Sequence, residues 1–235
     1  MPADAETTFD LDTAPTEDLE RWKLIQEILK LDSEAKTAQY ESELRRLEYE
    51  RDRENRARFV AEDAQRIYHF DGAVCELEVA TARMTLERWQ RADEIAGVKR
   101  DITFVITSFG GSVFHGFALY DDLRAYGERN GVRVTTVVRG CAASMAGVLL
   151  QAGDERLIGA ESRLHIHEPA SLGVGKASEI GDEYQLLQSM FAQMCEIYAR
   201  RSALSADEIR ERTERHEWWL TAHEAVELGF ADRIG

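Results

Sequence analysis

Two β-branched runs, Asp101–Thr107 (DITFVIT) and Val132–Val138 (VRVTTVV), flank a segment, Ser112–Tyr126, with helical periodicity. A strand, a helix and a strand in that order cannot close as a hairpin; they form a right-handed β-α-β unit with parallel strands. The alternation continues on both sides. Arg66–Gly72 reads as a strand entering a turn, and Thr85–Glu94 as a helix with Leu86, Trp89 and Ile95 inward. Arg156–Ile158 and Arg163–His167 are short strands. Ala177–Arg200 is a long helix with Ile180, Tyr184, Leu187, Phe191, Met194 and Tyr198 at helical spacing. The expectation is an α/β fold, a largely parallel sheet covered by helices. With 235 residues, 44% of them hydrophobic, the chain can bury one substantial core.

The first third is different in kind. Residues 1–16 are acidic and poor in apolar side chains, which predicts disorder. Thr16-Glu17-Asp18 has the composition of a helix start, and no Gly or Pro follows until beyond Arg66. Residues 17–65 are therefore expected as a charged helical extension, with a break near Leu31-Asp32-Ser33. The stripes Trp22/Ile25/Leu29 and Tyr40/Leu44/Leu47 do not join into a heptad seam, so a solvated helix is expected and not a coiled coil. Residues 66–235 form the α/β domain.

Charge and cysteine usage exclude several functions. Lys and Arg number 29 against 44 Asp and Glu, a formal net charge of -15, which argues against nucleic acid as a partner. The acidic beginning is the opposite of a secretory signal, and no run of about 18 apolar residues offers a membrane span. Cys75, Cys141 and Cys195 form no CxxC pair, which fits free thiols in a reducing cytoplasm better than a disulfide framework or a zinc site.

Four places carry residues suited to chemistry. Gly140–Gly147 (GCAASMAG) sets Ser144 among small residues between a strand and an apolar segment, where a substrate backbone can approach and free N–H groups can face an oxyanion; tight helix packing explains the same composition. Ser108-Phe109-Gly110-Gly111-Ser112 follows a strand, and its glycines permit close approach. His165 and His167 share one face of a strand, so spacing alone does not choose between them. A carboxylate within Thr213–Leu220 could orient an imidazole. Cys141, three residues before Ser144, fits a packing role better than a nucleophilic one.

In order and spacing these segments resemble the proteolytic subunit family of the Clp protease, from about Ile67 to Ile234. The resemblance rests on Gly110–Val113, then Ala118-Leu119-Tyr120-Asp121, Ala142–Met145, Ser162–Pro169 and Leu220–Asp232. It implies a crotonase-like fold of repeated β-β-α units and a serine endopeptidase that works without a cofactor or metal. It also implies homo-oligomeric rings, heptameric or stacked in pairs, that take polypeptide substrates, with an AAA+ unfoldase as partner. By residue, it implies Ser144 as nucleophile, His167 as base, and the N–H groups of Gly111 and Met145 as oxyanion donors. The segment Ser171–Lys176 and the helix after it correspond to the handle that packs two rings together.

The chain departs from the family pattern at two points. Phe109 stands where a proline commonly precedes the glycines. The slot where cellular members place Asp holds His216; counting back from Leu220 reaches Glu217, and phage-encoded members carry Glu in that context. Glu217 is the expected third member, with His216 the alternative. Together with the extension, this suggests a phage or prophage role in capsid or scaffold processing. General ATPase-assisted degradation, an acyl-CoA enzyme on the same fold, and a non-catalytic ring subunit remain alternatives.

Overall fold

The computed structural model describes residues 16–170 and 174–235. The disorder expected for residues 1–16 falls almost wholly outside the described residues, as does the start of the expected handle, Ser171–Gly173. The chain divides into two compact units, one reaching Phe59 and one spanning Val60–Gly235. Among the described residues no helix is long and apolar enough to cross a membrane.

Helix α1 spans Thr16–Ala64. It runs unbroken through Leu31-Asp32-Ser33, where a break was expected: neither Asp nor Ser costs more than about 0.7 kcal/mol in a helix, and no Gly or Pro intervenes. Tyr40, Leu44 and Leu47 are all exposed. Arg45–Glu41, Arg46–Glu43 and Arg46–Glu50 pairs lace its surface, and such exposed pairs contribute little each.

In the second unit, the last turn of α1 is fastened to helix α2 (Glu76–Ala96). Asp63 accepts from the Arg88 guanidinium (2.8 Å) and from Trp89 Nε1 (2.6 Å). Those hydrogen bonds, the one from Arg88 foremost, hold its carboxyl below the ordinary range. Arg66 turns the chain with a left-handed φ of 59° and buries its guanidinium against Asp93. The chain then enters strand β1 (Ile67–Asp71).

Strand β1, β2 (Ile102–Ser108), β3 (Val134–Ala143), β4 (Glu155–Ile158) and β7 (Arg233–Ile234) lie side by side in that order, all parallel. Helix α3 (Val113–Asn130) links β2 to β3, as the β-α-β reading expects. Its start is fixed by Ser112, whose hydroxyl accepts from His115 N–H. Strand β3 forks. Its first half, Thr135–Val138, pairs with β4; its second half, Cys141–Ala143, pairs with β5 (Arg163–Ile166). Gly140, at φ 73°, sits between the halves. The strand thus reaches into the serine run, farther than the sequence suggested, and helix α4 is short, Met145–Leu150. Strand β6 (Trp218–Thr221) pairs antiparallel with β5, so β5 and β6 form a ribbon leaving the main sheet.

The core combines Phe70, Phe104 and Ile106 of the sheet with Trp89, Leu119, Leu123, Leu149 and Tyr198 of the helices. Leu86 and Trp89 are buried as expected, but Ile95 is 88% exposed. It lies two residues past buried Asp93 in the last turn of α2, on the side opposite the Val79/Ala82/Leu86/Trp89/Asp93 stripe that packs. Helix α5 (Ala177–Ala199) also splits: Phe191, Met194 and Tyr198 are buried, whereas Ile180 and Tyr184 stand in solvent. Helices α6 (Ala206–Thr213) and α7 (Ala222–Glu227) flank β6, each opened by a capping box, Ser205 with Glu208 and Thr221 with Glu224.

An ion pair with one buried partner ties the C-terminal segment to β4. The Arg156 guanidinium, 2% exposed, meets Asp232 at 2.7 Å and Gln151 Oε1 at 2.7 Å. Burial pushes the Asp232 carboxyl up, but the Arg156 hydrogen bonds and the charges of Arg156 and Arg201 outweigh it, so its pKa lies below 3.8. Asp232→Ala strands the guanidinium and is expected to destabilise the fold by about 3 kcal/mol in urea titration. Because the native carboxyl is the stronger acid, the pair's contribution is complete above the unfolded value. It fades as pH falls through the native one, and the variant loses that part of the acid sensitivity.

Candidate active site

The ends of β2, β3 and β5 converge on Ser144. The β2 end continues into Gly110 and Gly111, and Val74 clips this loop in place: its N–H donates to Gly110 O (2.8 Å) and its carbonyl accepts from Ser112 N–H (2.7 Å). Gly110 has φ 89°, and a Cβ there would lie 2.6 Å from Ala143 O and 2.7 Å from Ser144 Cβ. The glycine lets the loop rest directly on the serine turn. Among the described residues the N–H groups of Gly111 and Met145 have no recorded acceptor.

Ser144 is the junction between β3 and α4. Its φ of 54° and ψ of -126° are rare for a residue with a side chain, and such strain persists only where surroundings enforce it. They do so here. Ser144 N–H donates to His165 O (2.9 Å), its carbonyl accepts from Gly147 N–H (3.0 Å), and the flanking Ala143 and Met145 are buried. Gly147 leaves room for the Tyr198 hydroxyl, which lies 3.5 Å from Ser144 O. No hydrogen bond joins Ser144 Oγ to His167 among the described residues.

The β5–β6 register arranges the remaining groups. His165 is directly opposite Trp219 and Ile166 opposite Trp218. One step further along the ribbon brings His167 opposite Glu217. Strand alternation then sets His165, His167, Glu217 and Trp219 on one face. Glu217 Oε2 lies 2.6 Å from His165 Nε2, and Oε1 lies 3.8 Å from His167 Nδ1. The close approach to His165 is not aligned as a hydrogen bond. The His165 ring stacks on His167 (centroids 4.8 Å apart) and on Trp219 (4.1 Å). Burial, then the neighbouring His167, push the His165 pKa below 6.5, and Glu217 opposes them only in part.

Of the residues singled out in the sequence, Gly111, Ser144, Met145, His167 and Glu217 fall in this region. His216 turns away: its Nδ1 contacts the carbonyl of Glu214 at 2.8 Å. Cys141 lies half-buried with Sγ 3.7 Å from Ser108 O, and burial pushes its thiol pKa up, away from thiolate chemistry. Sequence reasoning missed Val74, Tyr198 and Trp219. Only Trp219 left a signal, its alternation with Glu217. A cavity of about 350 Å³ opens elsewhere, among Asp93, Val98, Arg100, Tyr126 and Arg129, and none of the residues around Ser144 lines it.

A strained serine at a strand–helix junction, a glycine loop resting on it, and a histidine that meets a carboxylate are the parts a serine hydrolase requires. The comparisons give the family. A family model described as Clp protease matches residues 91–235. ATP-dependent Clp protease proteolytic subunit 3 of Rhodococcus jostii (strain RHA1) is 38% identical over 141 residues, 59% of this chain and 67% of that protein. Subunit 2 of Tropheryma whipplei (strain Twist) is 36% identical over 138 residues, 58% of this chain and 74% of that protein. Subunit 1 of Chlamydia muridarum (strain MoPn / Nigg) is 33% identical over 176 residues, 73% of this chain and 86% of that protein. The chain belongs to the Clp protease family, and its forked α/β sheet is that family's crotonase-like fold. It is a serine peptidase by family, and the whole of α1 lies outside the matched region.

Proposed function

We propose that the chain hydrolyses peptide bonds with Ser144 as nucleophile, His167 as general base and Glu217 as the carboxylate that orients His167. Ser144 Oγ attacks the scissile carbonyl carbon while His167 takes its proton; the oxyanion is met by the N–H groups of Gly111 and Met145. The intermediate collapses as His167 returns that proton to the leaving amine, and water, activated by the same imidazole, releases the acyl group from Ser144. The observation that carries this reading is the strained Ser144 turn, held against the β5 strand that leads to His167. Glu217 is favoured over His216 because its carboxylate lies on the ribbon face that bears His167.

The substrates on this reading are polypeptides, cut inside a homo-oligomeric ring, heptameric or doubled, in the cytoplasm. The relatives are named as proteolytic subunits of an ATP-dependent protease, which supports delivery by a separate AAA+ unfoldase. Helix α1 favours a second reading, tethering to an assembling phage capsid, since a long charged helix is an attachment arm of suitable length. Two assays decide. Turnover of an unfolded protein only when an unfoldase is present supports the first reading, and trimming of a co-expressed capsid precursor without one supports the second. Failure of the folded, full chain to cut short fluorogenic peptides contradicts both.

A further inference from the structure

We infer that His165 is a positioning residue, whose Nε2–H holds the Glu217 carboxylate so that its second oxygen faces His167. This rests on the assignment of Glu217 to the triad and adds to it the means by which that residue is held. Glu217 has a side chain 67% exposed, with one more rotatable bond than the aspartate that the family pattern expects at this point. A free glutamate loses rotamer entropy when fixed, so a carboxylate acting at a defined angle needs a second anchor.

His165 is built to supply one. Its ring is 6% exposed and lies between Trp219 and His167, within 11° and 18° of parallel to them. This stack leaves it little freedom to turn. Its Nε2 is closed to solvent and has no aligned partner among the described residues, while Glu217 Oε2 lies 2.6 Å away. A buried ring nitrogen left unpaired is costly, so a small rotation of the carboxylate satisfies both groups. Glu217 then bridges two imidazoles, one oxygen on each.

The division of labour follows from charge. The titratable groups that act on His165 are His167 on its own strand and Glu217 beside β6; Trp219 is uncharged. A cationic His165 stacked on His167 would oppose the imidazolium that forms there during catalysis. A neutral His165 donating from Nε2 leaves the carboxylate's charge for His167.

His165→Met keeps an apolar body of similar length and removes the donor, whereas His165→Gln keeps an N–H at comparable reach. Steady-state hydrolysis of a fluorogenic peptide by the full chain is the assay. His165→Met is expected to lower kcat about 10- to 100-fold with KM nearly unchanged, the effect of a misplaced catalytic group. His165→Gln should recover most of that loss. In a Glu217→Gln background, His165→Met should have almost no further effect on kcat. Wild-type kcat in His165→Met, a Gln variant no better than Met, or full additivity with Glu217→Gln would each overturn the inference. A Glu217→Gln enzyme with undiminished kcat would instead remove the triad assignment beneath it.

Discussion

Ser144→Ala is expected to lower kcat for peptide hydrolysis by about 10⁴- to 10⁶-fold, because nothing else near the site replaces the lost nucleophile. The thiol of Cys141, whose pKa burial pushes up, is a poor substitute. Stability should change in a way that separates chemistry from fold. Alanine keeps a Cβ at φ 54° and inherits the strain of the turn. Ser144→Gly relieves it, and should melt about 2–4 °C above Ser144→Ala, for a gain of about 1 kcal/mol. Both variants are inactive, so calorimetry beside the peptide assay shows strain maintained for function. Equal melting temperatures would mean that the turn carries no strain.

Glu217→Gln is expected to cost about 10²- to 10⁴-fold in kcat, while His216→Ala stays within about twofold of wild type. The amide keeps the shape of the side chain but cannot stabilise the imidazolium. The physical basis is placement: Glu217 Oε1 lies 3.8 Å from His167 Nδ1, whereas His216 Nδ1 contacts the carbonyl of Glu214. The reverse pattern would make His216 the orienting residue.

What could be read in the sequence was whatever rests on local periodicity. The β-branched runs at β2 and β3 and the helical spacing of α3 and α5 announce themselves, and with them the parallel sheet. The start of α2 did not, because Cys75 at its N-cap makes no side-chain cap. The sequence pattern ends the strand at Val138, yet Gly140 is the fork that carries β3 on to Ala143 and so places Ser144. Half of the apolar stripe on α5 faces solvent in this chain, a distinction that helical spacing cannot make. At the site, Ser144 and the glycine loop were visible as composition. The choice between two histidines came from resemblance, and the contact of Glu217 with both depends on cross-strand register, which no local pattern encodes.

The most direct measurement is mass-spectrometric mapping of the intact full chain after reaction with a fluorophosphonate, which captures only a serine activated by a neighbouring base. The account predicts a single adduct on Ser144, absent in Ser144→Ala and strongly reduced in His167→Ala. A folded protein that takes no label, or carries it on another residue, would contradict it.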